Sequence, residues 1–112
     1  MALFAIAIPI LPGKTEATRA FTNELMTTRH DDFKKSRENL GARERTFFQS
    51  TPMGDMVIVT LEGENPSEAI KKFGAGNDEF TQWFVEQVKE LHGVDLTQPL
   101  PGDLPEQIAD SE

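Results

Sequence analysis

Two short segments of the sequence carry apolar side chains on both of their alternating faces. Residues 3–8 and 55–61 are rich in Ile and Val, and such runs are typical of strands that are covered on both sides. In a two-layer α+β protein, the helices cover only one face of the sheet. The other face of these strands therefore needs a partner, and a second copy of the chain is the simplest one.

A helical pattern lies between the first strand and the second. Within residues 14–40, apolar side chains recur every four positions, at Ala17, Phe21 and Leu25. Phe33 falls off this stripe, so we expect a bend or break near residues 29–32. Gly41 follows the segment, as a glycine commonly does at the end of a helix.

A hairpin is predicted after this helical segment. Residues 43–50 and 55–61 both favour strands, and the turn between them contains Pro52 and Gly54. Proline supplies the fixed φ angle that a turn needs, and glycine supplies the conformational freedom.

Two further helices begin at recognisable capping residues. Asn65 followed by Pro66 matches an N-cap and the first helical position, and this helix is expected to end near Gly74. The last helix is predicted to start at Asn77 or Asp78, and it ends at Gly93.

The resulting order is β-α-β-β-α, with a weak final strand at residues 94–97. This is the ferredoxin-like α+β sandwich, and covering its second face with another copy predicts a homodimeric α/β barrel. A chain of 112 residues has room for one domain. Residues 1–98 are assigned to that domain, and residues 99–112 to an acidic C-terminal tail that contains Pro.

The composition argues against several classes of function. The chain has 11 Lys and Arg against 19 Asp and Glu, and a net charge of −8 argues against nucleic acids and anionic membranes as partners. Because Cys is absent, disulfides, thiolate catalysis and Cys-bound metals are excluded. No apolar run is long enough for a membrane span, and the first residues lack the basic region of a signal peptide, so we expect a cytoplasmic protein.

The two histidines of the chain are the candidate catalytic residues. His92 is expected in the last turn of the last helix, where it either lines the cleft between helix and sheet or binds terminal carbonyl groups. His30, which lies between Arg29 and Asp31, is either a general base or part of a solvated turn. The spacing of the histidines matches no metal-binding motif, so no metal is predicted.

Four residues are candidate ligand-binding groups. Trp83, Phe47 and Phe48 either line a pocket for a planar molecule or belong to the core, and Trp83 is expected to face the sheet. Arg45 on the second strand either binds a carboxylate or phenolate oxygen of a ligand, or faces solvent or pairs with an acid. Glu44 beside it is a polar strand residue that could be buried with a partner at the dimer interface.

A family resemblance rests on short stretches of the chain: LGARE at 40–44, QSTPMGD at 49–55, Glu62, Trp83-Phe84, and HGVDL at 92–96. These resemble a small uncharacterised bacterial family of the dimeric α/β-barrel superfamily, which includes antibiotic-biosynthesis-monooxygenase-like and stress-responsive proteins. The resemblance implies a homodimeric barrel and a cofactor-free, oxygenase-like activity. Haem-degrading members combine a Trp and a His with an Asn on strand one, and strand one of this chain has no Asn. No cofactor is therefore predicted, and haem stays an alternative.

Two functions follow as hypotheses. The chain either binds a small hydrophobic or planar molecule between its helices and its sheet, with enzymatic activity undecided, or it is a non-catalytic dimeric ligand-binding or interaction protein. A cavity of about 300 Å³ or more with a His or Arg in its wall favours the first hypothesis. A filled core favours the second.

Overall fold

A three-stranded antiparallel sheet lies at the centre of the structure. The computed structural model describes residues 2–112, and within this range it contains three strands and four helices. In chain order these are β1 (Ala2–Pro9), α1 (Thr15–Met26), α2 (His30–Asn39), β2 (Ala42–Thr51), β3 (Gly54–Gly63), α3 (Pro66–Lys71) and α4 (Glu79–His92). The chain therefore has the expected α+β class.

The strand order of the sheet is β1-β3-β2, so β3 is the central strand. Ile6 pairs with Val59, and Val59 also pairs with Thr46 across the other ladder. Residues that pair directly across an antiparallel sheet point to the same face. The buried strand residues all share the face of Val59, which is covered by the helices.

The other face, called here the open face, has no buried residue among the described strands. Its central rung joins Ala7, Ile58 and Phe47. The remaining side chains of the open face are Leu3, Ala5, Pro9, Met56, Thr60, Glu62, Arg43, Arg45, Gln49 and Thr51. The sheet is thus apolar on both sides, as the sequence predicted, and its helices cover one of them.

The predicted break in the long helical segment is confirmed. Helix α1 ends at Met26, and the next turn is interrupted at Thr27, which has φ −124° and ψ −92°. The backbone N–H groups of Thr27 and Arg29 both donate to the carbonyl of Glu24, at 3.2 and 2.9 Å. Helix α2 then begins at His30 and ends before Gly41, whose φ of 73° suits glycine.

The predicted caps of the last two helices are also present. The Asn65 side chain accepts a hydrogen bond from the backbone N–H of Glu68 at the start of α3. Asp78, and not Asn77, caps α4 by accepting from the backbone N–H of Thr81 at 3.1 Å. The hydrogen bonds from Thr81 hold the pKa of Asp78 below its ordinary value.

The predicted final strand at residues 94–97 is wrong. This segment forms a turn in which the Asp95 carboxylate accepts from both the backbone N–H and the hydroxyl of Thr97, at 2.9 and 2.6 Å. Because the turn satisfies these donors locally, the segment does not pair with β1. Residues 99–112 contain no helix or strand; Leu100 and Leu104 pack against the core, whereas Ile108 is 87% exposed.

A buried ion pair joins α2 to β2. The Arg37 residue is only 4% exposed, and its Nε lies 2.7 Å from Oε1 of Glu44. The second carboxylate oxygen of Glu44 accepts from the hydroxyl of Thr46 at 3.0 Å. The guanidinium also lies over the rings of Phe73 and Phe84, at 3.8 and 4.6 Å from their centroids. Glu44 is therefore buried with a partner, as the sequence suggested, but that partner belongs to the same chain.

Loss of one member of this pair should destabilise the fold strongly. Glu44→Ala leaves the Arg37 cation buried without a counter-ion, and we expect the free energy of unfolding to fall by about 3–5 kcal/mol. The double variant Arg37→Met/Glu44→Leu should recover most of that loss, because apolar residues of similar volume often replace a buried pair at little cost. Urea unfolding monitored by circular dichroism measures both effects.

The matched control is Glu68→Ala, which removes an exposed partner of Lys71. This change should cost less than about 1 kcal/mol, as is usual for exposed ion pairs. If Glu44→Ala costs no more than Glu68→Ala, the pair does not hold α2 against β2.

Candidate functional site

A cavity of about 310 Å³ lies between the helices and the sheet. Its walls come from all three strands and from α1, α3 and α4, and the turn after α4 closes one side. Most of the lining side chains are apolar, among them Ile6, Val59, Phe21, Phe84, Val88 and Leu96. The interior of this small domain is therefore not filled by its own side chains.

The cavity is bordered by aromatic side chains of the helices that pack on each other. The ring of Phe21 on α1 lies 5.6 Å from that of Phe84 on α4, and 5.2 Å from that of Trp83. The facing strand residues Ile6 and Val59 are aliphatic and shorter. Rings that are engaged with one another between the helices leave the space above these aliphatic side chains unoccupied.

His92 is the only titratable cavity-lining residue besides Glu44 in the described chain. It is half-buried at the last position of α4, and its Nδ1 lies 2.8 Å from the carbonyl oxygen of Pro9. A carbonyl oxygen can only accept, so Nδ1 of the neutral ring carries the proton and Nε2 keeps a lone pair. Burial lowers the pKa of His92 below its ordinary value of 6.5, and the bond to Pro9 opposes this shift. The imidazole is therefore neutral at pH 7.

A wider groove of about 860 Å³ runs beside the outer edge of β2, between this strand and the helices α1 and α2. Thr18, Leu25 and Glu44 are among the residues that line both the groove and the cavity. The two spaces therefore adjoin. Cationic side chains line the groove. One of them is Arg19, whose guanidinium lies over the Phe48 ring at 4.3 Å from its centroid.

The predicted site residues are divided between these spaces. His92 lines the cavity, whereas His30, Arg45, Phe47 and Phe48 line the groove. His30 is exposed at the start of α2. Arg45 lies 3.7 Å from Glu62 on the open face, and Phe47 on the same face is 53% exposed. The structure therefore does not bring the two histidines together.

Trp83 packs among aromatic side chains of the helices. Its ring packs against Phe21 of α1 and against Phe80, and Arg29 covers it at 4.0 Å from the ring centroid. Arg29 is held in place by Glu79, whose carboxylate lies 2.8 Å from its Nη1. Trp83 thus joins α1 to α4, and it is not part of the cavity wall.

Arg37 was not predicted as an interior residue. It lies four positions after Phe33 and three before Leu40, so it occupies the apolar stripe of its helix. This spacing is the signal in the sequence that places Arg37 on the buried face. Its burial depends on Glu44 and on the aromatic rings that cover the guanidinium.

Residues 2–112 contain no cluster of three or more His, Asp or Glu side chains that could hold a metal ion. None of the helices between these residues combines the length and the apolar composition that a membrane crossing requires.

Comparison with protein-family models, with curated proteins and with solved structures found no match to this chain. Function is therefore inferred from the cavity and its chemistry.

The neutral His92 predicts a distinct pH dependence of stability. Its pKa in the folded chain lies below that in the unfolded chain, so the unfolded state takes up a proton first as the pH falls. The free energy of unfolding should therefore decrease from about pH 7.5 to about pH 5.5, and His92→Gln should reduce this decrease. Urea unfolding at both pH values measures the difference.

His30→Gln is the matched control, because it removes the exposed histidine. This variant should keep the pH dependence of the unmodified chain. Carboxyl groups with lowered pKa, such as Asp55 and Asp95, contribute at lower pH than this interval. An unchanged slope in His92→Gln would show that the imidazole is not desolvated.

Proposed function

We propose that this protein binds a small apolar molecule in the cavity between its helices and its sheet. The observation that supports the proposal is the cavity of about 310 Å³, with apolar walls and the half-buried His92 in its lining. Small-molecule sites are commonly concave and apolar, with a few polar groups that orient the ligand, and they begin at about this volume. A filled core would favour a purely structural or interaction role. His92 instead borders an unfilled cavity.

Binding needs only the cavity, whereas catalysis needs a reactive group as well. For a cofactor-free, oxygenase-like reaction, that group would be a base that removes a proton from the bound molecule. Nε2 of the neutral His92 is the group that could act in this way. We therefore propose ligand binding as the function, and His92 as the residue through which an enzymatic activity would operate.

Val88→Phe tests whether the cavity is the binding site. Val88 lines the cavity from α4, and a phenyl group in its place should occupy part of that volume. We expect naphthalene to bind the unmodified chain and to bind Val88→Phe at least tenfold more weakly. Ligand-observed NMR measures the two dissociation constants, and circular dichroism checks that both chains are folded.

The control is Val85→Phe, the same substitution at a half-buried position of α4 that is not part of the cavity wall. This variant should bind naphthalene as the unmodified chain does. Equal binding to all three chains would place the ligand elsewhere, and absence of binding to the unmodified chain would contradict the proposed function.

A second candidate function is self-association through the open face, with a second copy of the chain as the partner. Leu3 on this face is 58% exposed and Phe47 is 53% exposed. From ordinary strand spacing and rise, the face is about 14 Å wide and 27 Å long, which is on the order of 400 Å². Exposed apolar side chains that lie together on one face often belong to an interaction site.

The open face carries less negative charge than the chain as a whole. The chain as a whole carries −8, so most of its surfaces would repel an identical molecule. The strand residues of the open face include Arg43, Arg45 and one acid, Glu62, which lies 3.7 Å from Arg45. Two open faces can therefore meet without repulsion between acids. The placement of β3 between β1 and β2 supports a ferredoxin-like fold, and two such sheets packed face to face would form a barrel.

Ile58→Glu tests the association, because it places a carboxylate on the central rung of the open face. We expect the unmodified chain to sediment as a dimer at micromolar concentration and Ile58→Glu to sediment as a folded monomer, since an unpaired charge in an apolar interface is costly. Ala20→Glu, on the exposed surface of α1, should remain a dimer. A monomeric unmodified chain would contradict this second candidate.

A further inference from the structure

The polar side chains in the cavity wall direct their donor groups to other atoms of the chain. The hydroxyl of Thr18 donates to the Lys14 carbonyl at 2.8 Å, and that of Thr22 donates to the Arg19 carbonyl at 3.0 Å. The hydroxyl of Thr46 donates to Glu44, as described above. These threonines and Glu44 are the polar side chains that line the cavity together with His92.

Nε2 of His92 is a nitrogen acceptor of the cavity wall that has no partner in the described chain. The only hydrogen bond of this side chain within residues 2–112 is the one that Nδ1 donates to Pro9. Nε2 is not among the fully buried atoms that lack a partner, so it is accessible to a bound molecule or to solvent. With Nδ1–H directed to a backbone carbonyl, Nε2 of the neutral ring can only accept.

We infer that the ligand of the cavity is a neutral, largely apolar molecule that carries a hydroxyl group, and that this hydroxyl donates to Nε2 of His92. This inference rests on the proposed function, since it names the class of molecule that the cavity takes. The apolar body of the ligand lies among the aliphatic and aromatic walls, for example Val59 and Phe84. The hydrogen bond from this hydroxyl to Nε2 fixes the orientation of the ligand in the cavity.

The same wall disfavours an anion. Nε2 has no proton to donate to a carboxylate. The charged side chain in the lining of the cavity is Glu44, and its carboxylate is negative. The guanidinium of Arg37 pairs with Glu44 and stacks on aromatic rings. Arg37 is not one of the residues that line the cavity. A ligand that carries a carboxylate would therefore lose its hydration and find no donor.

Four probes with the same ring system test the inference: naphthalene, 2-methoxynaphthalene, 2-naphthol and 2-naphthoate. At about pH 7.5 the naphthol is neutral, because the ordinary pKa of a phenolic hydroxyl is about 10. The methoxy compound keeps the oxygen but has no donor. We expect 2-naphthol to bind about three- to tenfold more tightly than naphthalene or 2-methoxynaphthalene, as one net hydrogen bond provides. We expect 2-naphthoate to bind the most weakly.

The outcomes separate this inference from the proposed function. Equal binding of the three neutral probes would overturn the inference and leave the cavity as a binding site. Tightest binding of 2-naphthoate would also overturn it, because the cavity would then select an anion. If none of the probes binds, the proposed function itself fails.

A variant and a spectroscopic measurement identify the acceptor. In His92→Phe, which keeps a ring but has no Nε2, 2-naphthol should lose its advantage over naphthalene. If this variant does not fold, the ¹⁵N resonances of the imidazole in the unmodified chain decide the question. Nε2 of His92 should shift on addition of 2-naphthol and not of naphthalene, while the exposed His30 serves as an internal reference. A His92 signal that responds equally to both probes would overturn the inference.

Discussion

The buried ion pair between Arg37 and Glu44 determines how the helical layer meets the sheet. The chain is interrupted at Thr27 before α2, and Arg37 of α2 lies 2.7 Å from Glu44 of β2. Its guanidinium is covered by Phe73 and Phe84, so α2, β2, α4 and the turn after α3 all contribute to the surroundings of one side chain. A cation enclosed in this way is stable only with its carboxylate in place, which ties the position of α2 to the register of β2.

The same pair shapes the cavity. Glu44 lines the cavity, but its carboxylate oxygens are engaged by Arg37 and Thr46, so it offers no free charge to a ligand. The opposite end of the cavity has a different polar group, the neutral imidazole of His92, with one nitrogen held by Pro9. The selectivity of the cavity for a ligand therefore depends on which polar groups of its wall are already hydrogen-bonded within the chain. The number of polar groups in the wall matters less.

The two faces of the sheet have separate roles. The face of Val59 meets the helices and forms one wall of the cavity, whereas the open face presents Leu3, Ile58 and Phe47 outward. Because side chains alternate along a strand, a substitution on one face leaves the other face unchanged. Ligand binding and self-association can therefore be altered independently, although both depend on the same three strands.

Local sequence determined most of the secondary structure, because short-range bonds decide it: Asn65 caps α3 through Glu68, and Gly93 ends α4 with a left-handed backbone. The prediction from local sequence was wrong at residues 94–97, where a turn closed by Asp95 takes the place of the expected strand. The face of Trp83 and the burial of Arg37 were decided by aromatic residues on other elements, which periodicity does not reveal. Only the tertiary structure brings Pro9 to His92 across 83 positions of the chain. That contact fixes the protonated nitrogen of the imidazole, and with it the hydrogen-bonding character of the site.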